Sequence, residues 1–340
     1  MNRNGPLLIL ALATLTGCKF PYPPDLSSDG QTATDASSDG PPALAPMIAF
    51  TSDRAGNNDI FTMRTDGTMV QNLTHNVASD SSPAWSPTGD RIAFLSNRTG
   101  ARELYVMSAD GNAPLNVSRG EANGPAWAPD GSKLAFYSNR SGSYQIYQAT
   151  LDGVPPAPLT TTGGNVPSWS PDGAKIASWA TGGLFVMSAN GTNSVRVTSG
   201  TDSSPTWNPG GTAIAFSHRI MFGDSDIHVI RPDGTIISRI QEAGTLASAP
   251  AWSPDGSQIA LWGGTDLNYE VYVVNPDGTG QRNISMSPGA DSNPKWAPNG
   301  AIISFSSGGE IWLVPAGGGS ATNLTNDPGQ DSDAVWKPIP

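Results

Sequence analysis

The chain has 340 residues, only 14% of them charged, with 39 Gly and 30 Pro; this balance suits many short strands joined by tight turns and argues against long amphipathic helices. A formal net charge of -11, uninterrupted by any Lys/Arg cluster, argues against nucleic acid and anionic lipid surfaces as partners. The single cysteine excludes an internal disulfide, and no Cys/His spacing suits zinc, which leaves only carboxylates as candidate ligands for a hard cation.

Residues 1–18 read as a signal peptide: Arg3 gives a positive start, "PLLILALATL" an apolar run too short to span a bilayer as a helix, and small residues follow. The segment ends in Leu15-Thr16-Gly17-Cys18, which resembles the bacterial lipobox. That resemblance implies cleavage before Cys18, lipid attachment to its thiol and acylation of its new amine. Several acyl chains, at about 0.8 kcal/mol per buried CH₂, would anchor the protein stably. Lys19, rather than Asp, follows the cysteine, which by the same resemblance favours the outer membrane; the expected location is the cell envelope, lipid-anchored and facing the periplasm. Residues 19–46 are rich in Pro, Ser, Asp and Gly and too poor in apolar surface to offset the entropy of ordering, so they read as a disordered tether.

From residue 47 the chain repeats itself. The clearest copies are "PAWSPTGDRIAFLSNRTGARELYVMSADG" from Pro83, "PAWAPDGSKLAFYSNRSGSYQIYQATLDG" from Pro125 and "PAWSPDGSQIALWGGTDLNYEVYVVNPDG" from Pro250. The marker tryptophans Trp85, Trp127, Trp169, Trp207, Trp252, Trp296 and Trp336 are spaced by 42, 42, 38, 45, 44 and 40 residues, the period of one propeller blade. Each copy reads as four strands: the "PAW" segment, a Ser-Pro-Asp-Gly turn, the "IAF" strand, an "ELYVM"-type strand closed by an Asp-Gly or Asn-Gly hairpin, and an "NLT"-type strand. The first "IAF"-type strand, at Ile48, has no Pro-x-Trp before it, whereas the chain ends on an unaccompanied "AVWKPIP". The expected fold is therefore all-β: a seven-bladed β-propeller of four-stranded antiparallel blades over residues 47–340, its ring closed by pairing of the C-terminal strand with the N-terminal blade.

The repeat "PAWSPDGxxIAFxSxRxGxxxIYxM" is similar to the propeller repeat of the TolB family, which also occurs in tricorn protease and prolyl-oligopeptidase relatives. The chain departs from TolB in having no room for a separate N-terminal α/β domain and in counting seven repeats where TolB has six. In related propellers the Trp strand is innermost, and the loops from strand four to strand one share a face with those from strand two to strand three. That resemblance brings Asp80, Glu121, Asp202, Asp291 and Asp331 to a channel mouth beside Arg54, Arg98 and Arg140. One reading of this charged mouth is structural, with the side chains satisfying turn amides and one another; the other is a surface for a protein, a peptide or a hard cation.

The seven repeat tryptophans read as packing residues. His75, His218 and His228 do not recur with the repeat, which argues against a metal site in the channel. No Ser, His and Asp set can be nominated, and no Gly-x-Ser-x-Gly elbow occurs. The expected function is a non-enzymatic, lipid-anchored, monomeric scaffold of the cell envelope that binds a protein or peptide, with no cofactor. The competing class is a hydrolase or polysaccharide lyase using mouth carboxylates or a bound cation, and recurrence separates the two: catalysis needs a unique constellation, whereas these charges repeat.

Overall fold

The computed structural model describes residues 46–220, 224–240, 246–265, 268–287 and 289–339. The signal peptide expected at 1–18, Cys18 and residues 19–45 of the tether lie outside the described residues.

The second strands, such as "MIAFTS" at Met47–Ser52 and "RIAFLS" at Arg91–Ser96, run apolar for several residues because both of their faces are covered. Twenty-eight strands pair among the described residues, each first strand antiparallel to the second, the second to the third, and the third to a short fourth. They form seven four-stranded units: unit 1 (47–72 with 331–336), unit 2 (80–121), unit 3 (123–158), unit 4 (165–196), unit 5 (201–240), unit 6 (246–283) and unit 7 (291–323). One parallel bridge, Ser225 to Leu246, additionally joins units 5 and 6. Unit 1 takes its first strand from the far end of the chain: Ile48 pairs with Trp336 and Ser52 with Asp331.

The core lies between units. Seven apolar clusters each straddle two neighbours. Phe94 and Trp85 of unit 2, for example, pack on Ile60 and Leu73 of unit 1, and Ile311 and Ala297 of unit 7 pack on Phe50 and Trp336 of unit 1. Phe50, Phe94, Phe136, Phe216 and Phe305 occupy the same second-strand position in five units and are fully buried, each worth about 1.5–3 kcal/mol relative to exposure. The tryptophans add a directional link. Trp127, Trp169, Trp207, Trp252, Trp296 and Trp336 each donate Nε1–H to a first-strand carbonyl of the preceding unit at 3.0–3.2 Å.

Two local devices hold this geometry. Every first strand carries a bulge three residues before its tryptophan, where Ser82, Gly124, Val166, Ser204, Ala249, Asn293 and Asp333 all have φ between 46° and 56°. In six of them a proline follows, a residue with no N–H to give to the interrupted ladder. The third-to-fourth hairpins press on the preceding unit, and a Cβ at Gly111 would come 2.7 Å from the Leu73 carbonyl oxygen, which is why glycine stands there.

Candidate functional site

The bulged first strands place Asp80, Asp202, Asp291 and Asp331 at equivalent positions, opposite Ser96, His218, Ser307 and Ser52. All four are buried, at no more than 1% exposure, so none opens on to solvent at the mouth. Glu121 stands one residue off this register: Ala122 occupies the aspartate position in unit 3, and the half-buried Glu121 side chain meets Asn123 Nδ2 at 3.4 Å.

The three arginines form one repeated clip. In unit 2, Arg98 donates from Nε to Ser96 Oγ at 2.8 Å and from Nη2 to Asp80 Oδ2 at 3.2 Å, with its guanidinium over the Phe94 and Tyr105 rings at 5.3 and 4.5 Å. Arg54 repeats this in unit 1 with Ser52 at 2.8 Å, Asp331 at 2.8 Å and the Phe50 and Phe61 rings. In unit 3, which lacks the aspartate, Arg140 lies over Phe136 and Tyr147 and donates to the carbonyls of Ser118 at 2.7 Å and Glu121 at 2.6 Å. Burial lowers the Arg140 pKa, opposed by Tyr147, Glu103 and Glu121, yet a guanidinium stays charged at neutral pH. Arg54 and Arg98 thus pair with aspartates of their own units, while Arg140 ties down the connection from unit 2.

Asp291 and Asp202 have no arginine. Asp291 accepts from Ser287 Oγ at 2.6 Å, and Asp202 accepts from Thr198 Oγ1 and meets His218 Nδ1 at 2.6 Å. His218 stacks on His228 with ring centroids 4.4 Å apart, so two histidines the sequence leaves unrelated come together in unit 5. His75 stands apart, in the turn after the fourth strand of unit 1. Among the described residues no group of three or more His, Cys, Asp and Glu side chains converges so as to hold a metal ion.

The open space lies elsewhere along the same strands. A cavity of about 820 Å³ is walled by first-strand residues of units 4 to 7 and unit 1, among them Ser204, Thr206, Ala249, Ala251, Asn293 and Lys295. It extends to Trp207, Trp252, Trp296 and Trp336 and to the turn prolines Pro209, Pro254 and Pro298, at the ends of the strands opposite the buried aspartates. Its wall is mostly small side chains with one cation, Lys295, an exposed residue whose ammonium loses part of its hydration to the surrounding protein, which lowers its pKa against the opposing Asp333.

The sequence family described as TolB beta propeller domain matches residues 28–123, 78–245 and 184–339. The chain belongs to the TolB beta-propeller family. Solved structures resemble this TolB-family propeller in fold at low identity. Oligogalacturonate lyase in complex with manganese is 15% identical over 83% of this chain and 85% of its own, with a TM-score of 0.63. TolB from Acinetobacter baumannii is 20% identical over 89% of each chain, with a TM-score of 0.54. A puromycin-hydrolyzing peptidase from Mycobacterium tuberculosis is 14% identical over 83% of this chain and 52% of its own, with a TM-score of 0.67. The chain matches none of the curated proteins compared.

Proposed function

We propose that this TolB-family propeller is a lipoprotein of the bacterial cell envelope, anchored through Cys18 at the outer membrane and facing the periplasm, and that it binds a protein or peptide rather than catalysing a reaction. The observation that carries the reading is a division of labour among polar residues. The recurring arginines and aspartates are committed to hydrogen bonds inside the fold, while the cavity of about 820 Å³ offers a wall of Pro, Trp and small side chains that includes Lys295. Such a wall suits an extended peptide or a protein loop, with Lys295 meeting a carboxylate. The contact face then lies at the Ser-Pro turns, at the other end of the first strands from the mouth charges Asp80, Asp202, Asp291, Asp331, Arg54, Arg98 and Arg140; Glu121 is the most accessible of the five mouth carboxylates.

The alternative, a hydrolase or lyase, draws its best support from the Asp202–His218 pair, since a carboxylate on one ring nitrogen orients an imidazole as a base. Among the described residues, however, no hydroxyl is hydrogen-bonded to His218 Nε2. A photo-crosslinking residue at Thr206, in the full chain expressed in its envelope, tests the reading. A single protein adduct, missing when the crosslinker sits instead at the exposed Val154, is the expected result. Turnover of a small molecule by the purified protein with no adduct would overturn it.

A further inference from the structure

Set against the other units, units 4 and 5 change chemistry at several neighbouring positions together, and they do so towards basic side chains. In units 1, 2, 6 and 7 the third-strand aromatic pairs with a fourth-strand asparagine: Phe61 with Asn72, Tyr105 with Asn116, Tyr272 with Asn283 and Trp312 with Asn323. Each asparagine closes the following turn by accepting a backbone N–H through Oδ1, at 2.8–3.2 Å, from Thr74, Arg119, Met286 and Asn326. In the adjacent units 4 and 5 that asparagine becomes arginine: Phe185 pairs with Arg196 and His228 with Arg239. His228 also takes the position that is aromatic and apolar or phenolic elsewhere, and His218 lies on it much as Arg98 lies on Tyr105. An imidazole is shorter than the arginine side chain of units 1 to 3.

These substitutions face one space. Arg196 and Ser199 from the end of unit 4, with His218, His228 and Arg239 of unit 5, line a cavity of about 520 Å³, within the size range of small-molecule sites. Among the described residues no carboxylate lines it, and neither arginine forms a salt bridge. Asp202, behind His218, has one oxygen on that ring and the other on the Thr198 hydroxyl. A chain of net charge -11 thus holds two guanidinium groups outside any salt bridge, one from each of two units, over a shared hollow, with the buried Asp226 of unit 5 within electrostatic reach of Arg239 but not lining the hollow. Structural repetition does not require them, since asparagine serves that position in four other units.

We propose that the groove between units 4 and 5 binds a small oxyanion-bearing molecule, a carboxylate or a phosphate, held by Arg196 and Arg239. Guanidinium groups favour such ligands because their planar N–H pairs match two oxygens at once. Ser199 adds a hydroxyl donor, and His228 and His218 form the floor. This site is separate from the central cavity and does not depend on the scaffold reading.

Isothermal titration of the full chain in detergent at low ionic strength, with citrate and with inorganic phosphate as separate probes, tests it. The variant Arg196→Asn with Arg239→Asn restores the asparagine of the other units, so it is compatible with the fold, and an unchanged melting midpoint verifies that. The expected result is saturable binding of at least one probe and a loss of about tenfold or more in the double variant, roughly the worth of one charge-assisted hydrogen bond. Citrate binding alone would assign a carboxylate ligand, and phosphate binding alone a phosphorylated one. No heat with either probe up to about 10 mM, where binding would be weaker than about -3 kcal/mol, overturns the proposal. Equal weakening by Arg91→Asn, on the surface outside the groove, would reveal general charge attraction and overturn it as well.

Discussion

Trp336 donates its indole N–H to the carbonyl oxygen of Lys295 at 3.1 Å, so the last strand of the chain is tied to the unit before it as well as paired with the first. Its ring also packs with Ile48, Phe50, Ala297 and Ala334 in the cluster that joins units 7 and 1. Deleting residues 331–340 therefore removes an inner strand and one of seven inter-unit cores together. We expect loss of a cooperative thermal transition in circular dichroism. A truncated protein that melts like the intact one would show that the ring does not rely on this closure.

Arg98 and Asp80 are the clearest case of a charged pair serving the fold. Removing the guanidinium by Arg98→Ala leaves a buried carboxylate without its cation, and exposes the faces of Phe94 and Tyr105. A destabilisation of about 2 kcal/mol is expected from urea unfolding, below the figure for a fully buried pair because Arg98 keeps partial solvent contact. The double variant with Asp80→Asn should recover part of that loss. Additive losses would mean that the two side chains do not act on one another.

Much of the fold was legible in the sequence because its determinants are local and repeat: Trp85 to Trp336 mark the inner strands, and each Ser-Pro-Asp-Gly turn carries its own hydrogen bonds, as where Asp255 accepts from Ser253 and Ser257. The candidate site was less legible for two physical reasons. Pro83 and its equivalents show that a strand is interrupted, but only the bulge at Ser82 turns Asp80 inward, where Arg98 covers it. Glu121 falls one residue out of that register, and in a strand one residue changes the face. The histidine pair was hidden because His218 pairs with Asp226 and Phe216 with His228, so the two rings meet only as diagonal neighbours across a hairpin. The usable signal was departure from the repeat, which also marks Arg196 and Arg239.

His228 gives the fold a specific acid sensitivity. Burial, with help from the neighbouring His218 and Arg239 and against Asp202, lowers its pKa from 6.5 to about 4. Between those values the unfolded chain takes up a proton that the folded chain refuses, so stability is full above about pH 6.5 and falls as pH drops towards 4, by up to about 3 kcal/mol. Asp226, whose pKa burial raises, acts in the opposite sense and is common to wild type and variant. Turn carboxylates such as Asp255, held at about 2 by Ser253 and Ser257, lose their contribution only at lower pH. His228→Phe should flatten the difference between denaturation midpoints at pH 7 and pH 5; an unchanged slope would assign the acid sensitivity to other groups.

Cys18 carries the anchoring proposal alone, since the chain has no second thiol. Cys18→Ser should abolish metabolic labelling with palmitate and release the protein into the soluble envelope fraction, because the acyl chains supply the membrane affinity. Labelling that survives the substitution would contradict lipid attachment at this residue.

The central claim is that the cavity between the first strands, and not the recurring charges, meets the partner. Ala251 lies on its wall, and a tryptophan there would fill much of the space of about 820 Å³. The most direct measurement is the affinity of Ala251→Trp for the protein recovered by crosslinking at Thr206, set beside that of Arg98→Ala at a temperature where both variants are folded. The account predicts that Ala251→Trp loses about tenfold or more in affinity while Arg98→Ala, though less stable, binds as wild type does. Full affinity in Ala251→Trp together with lost affinity in Arg98→Ala would contradict it.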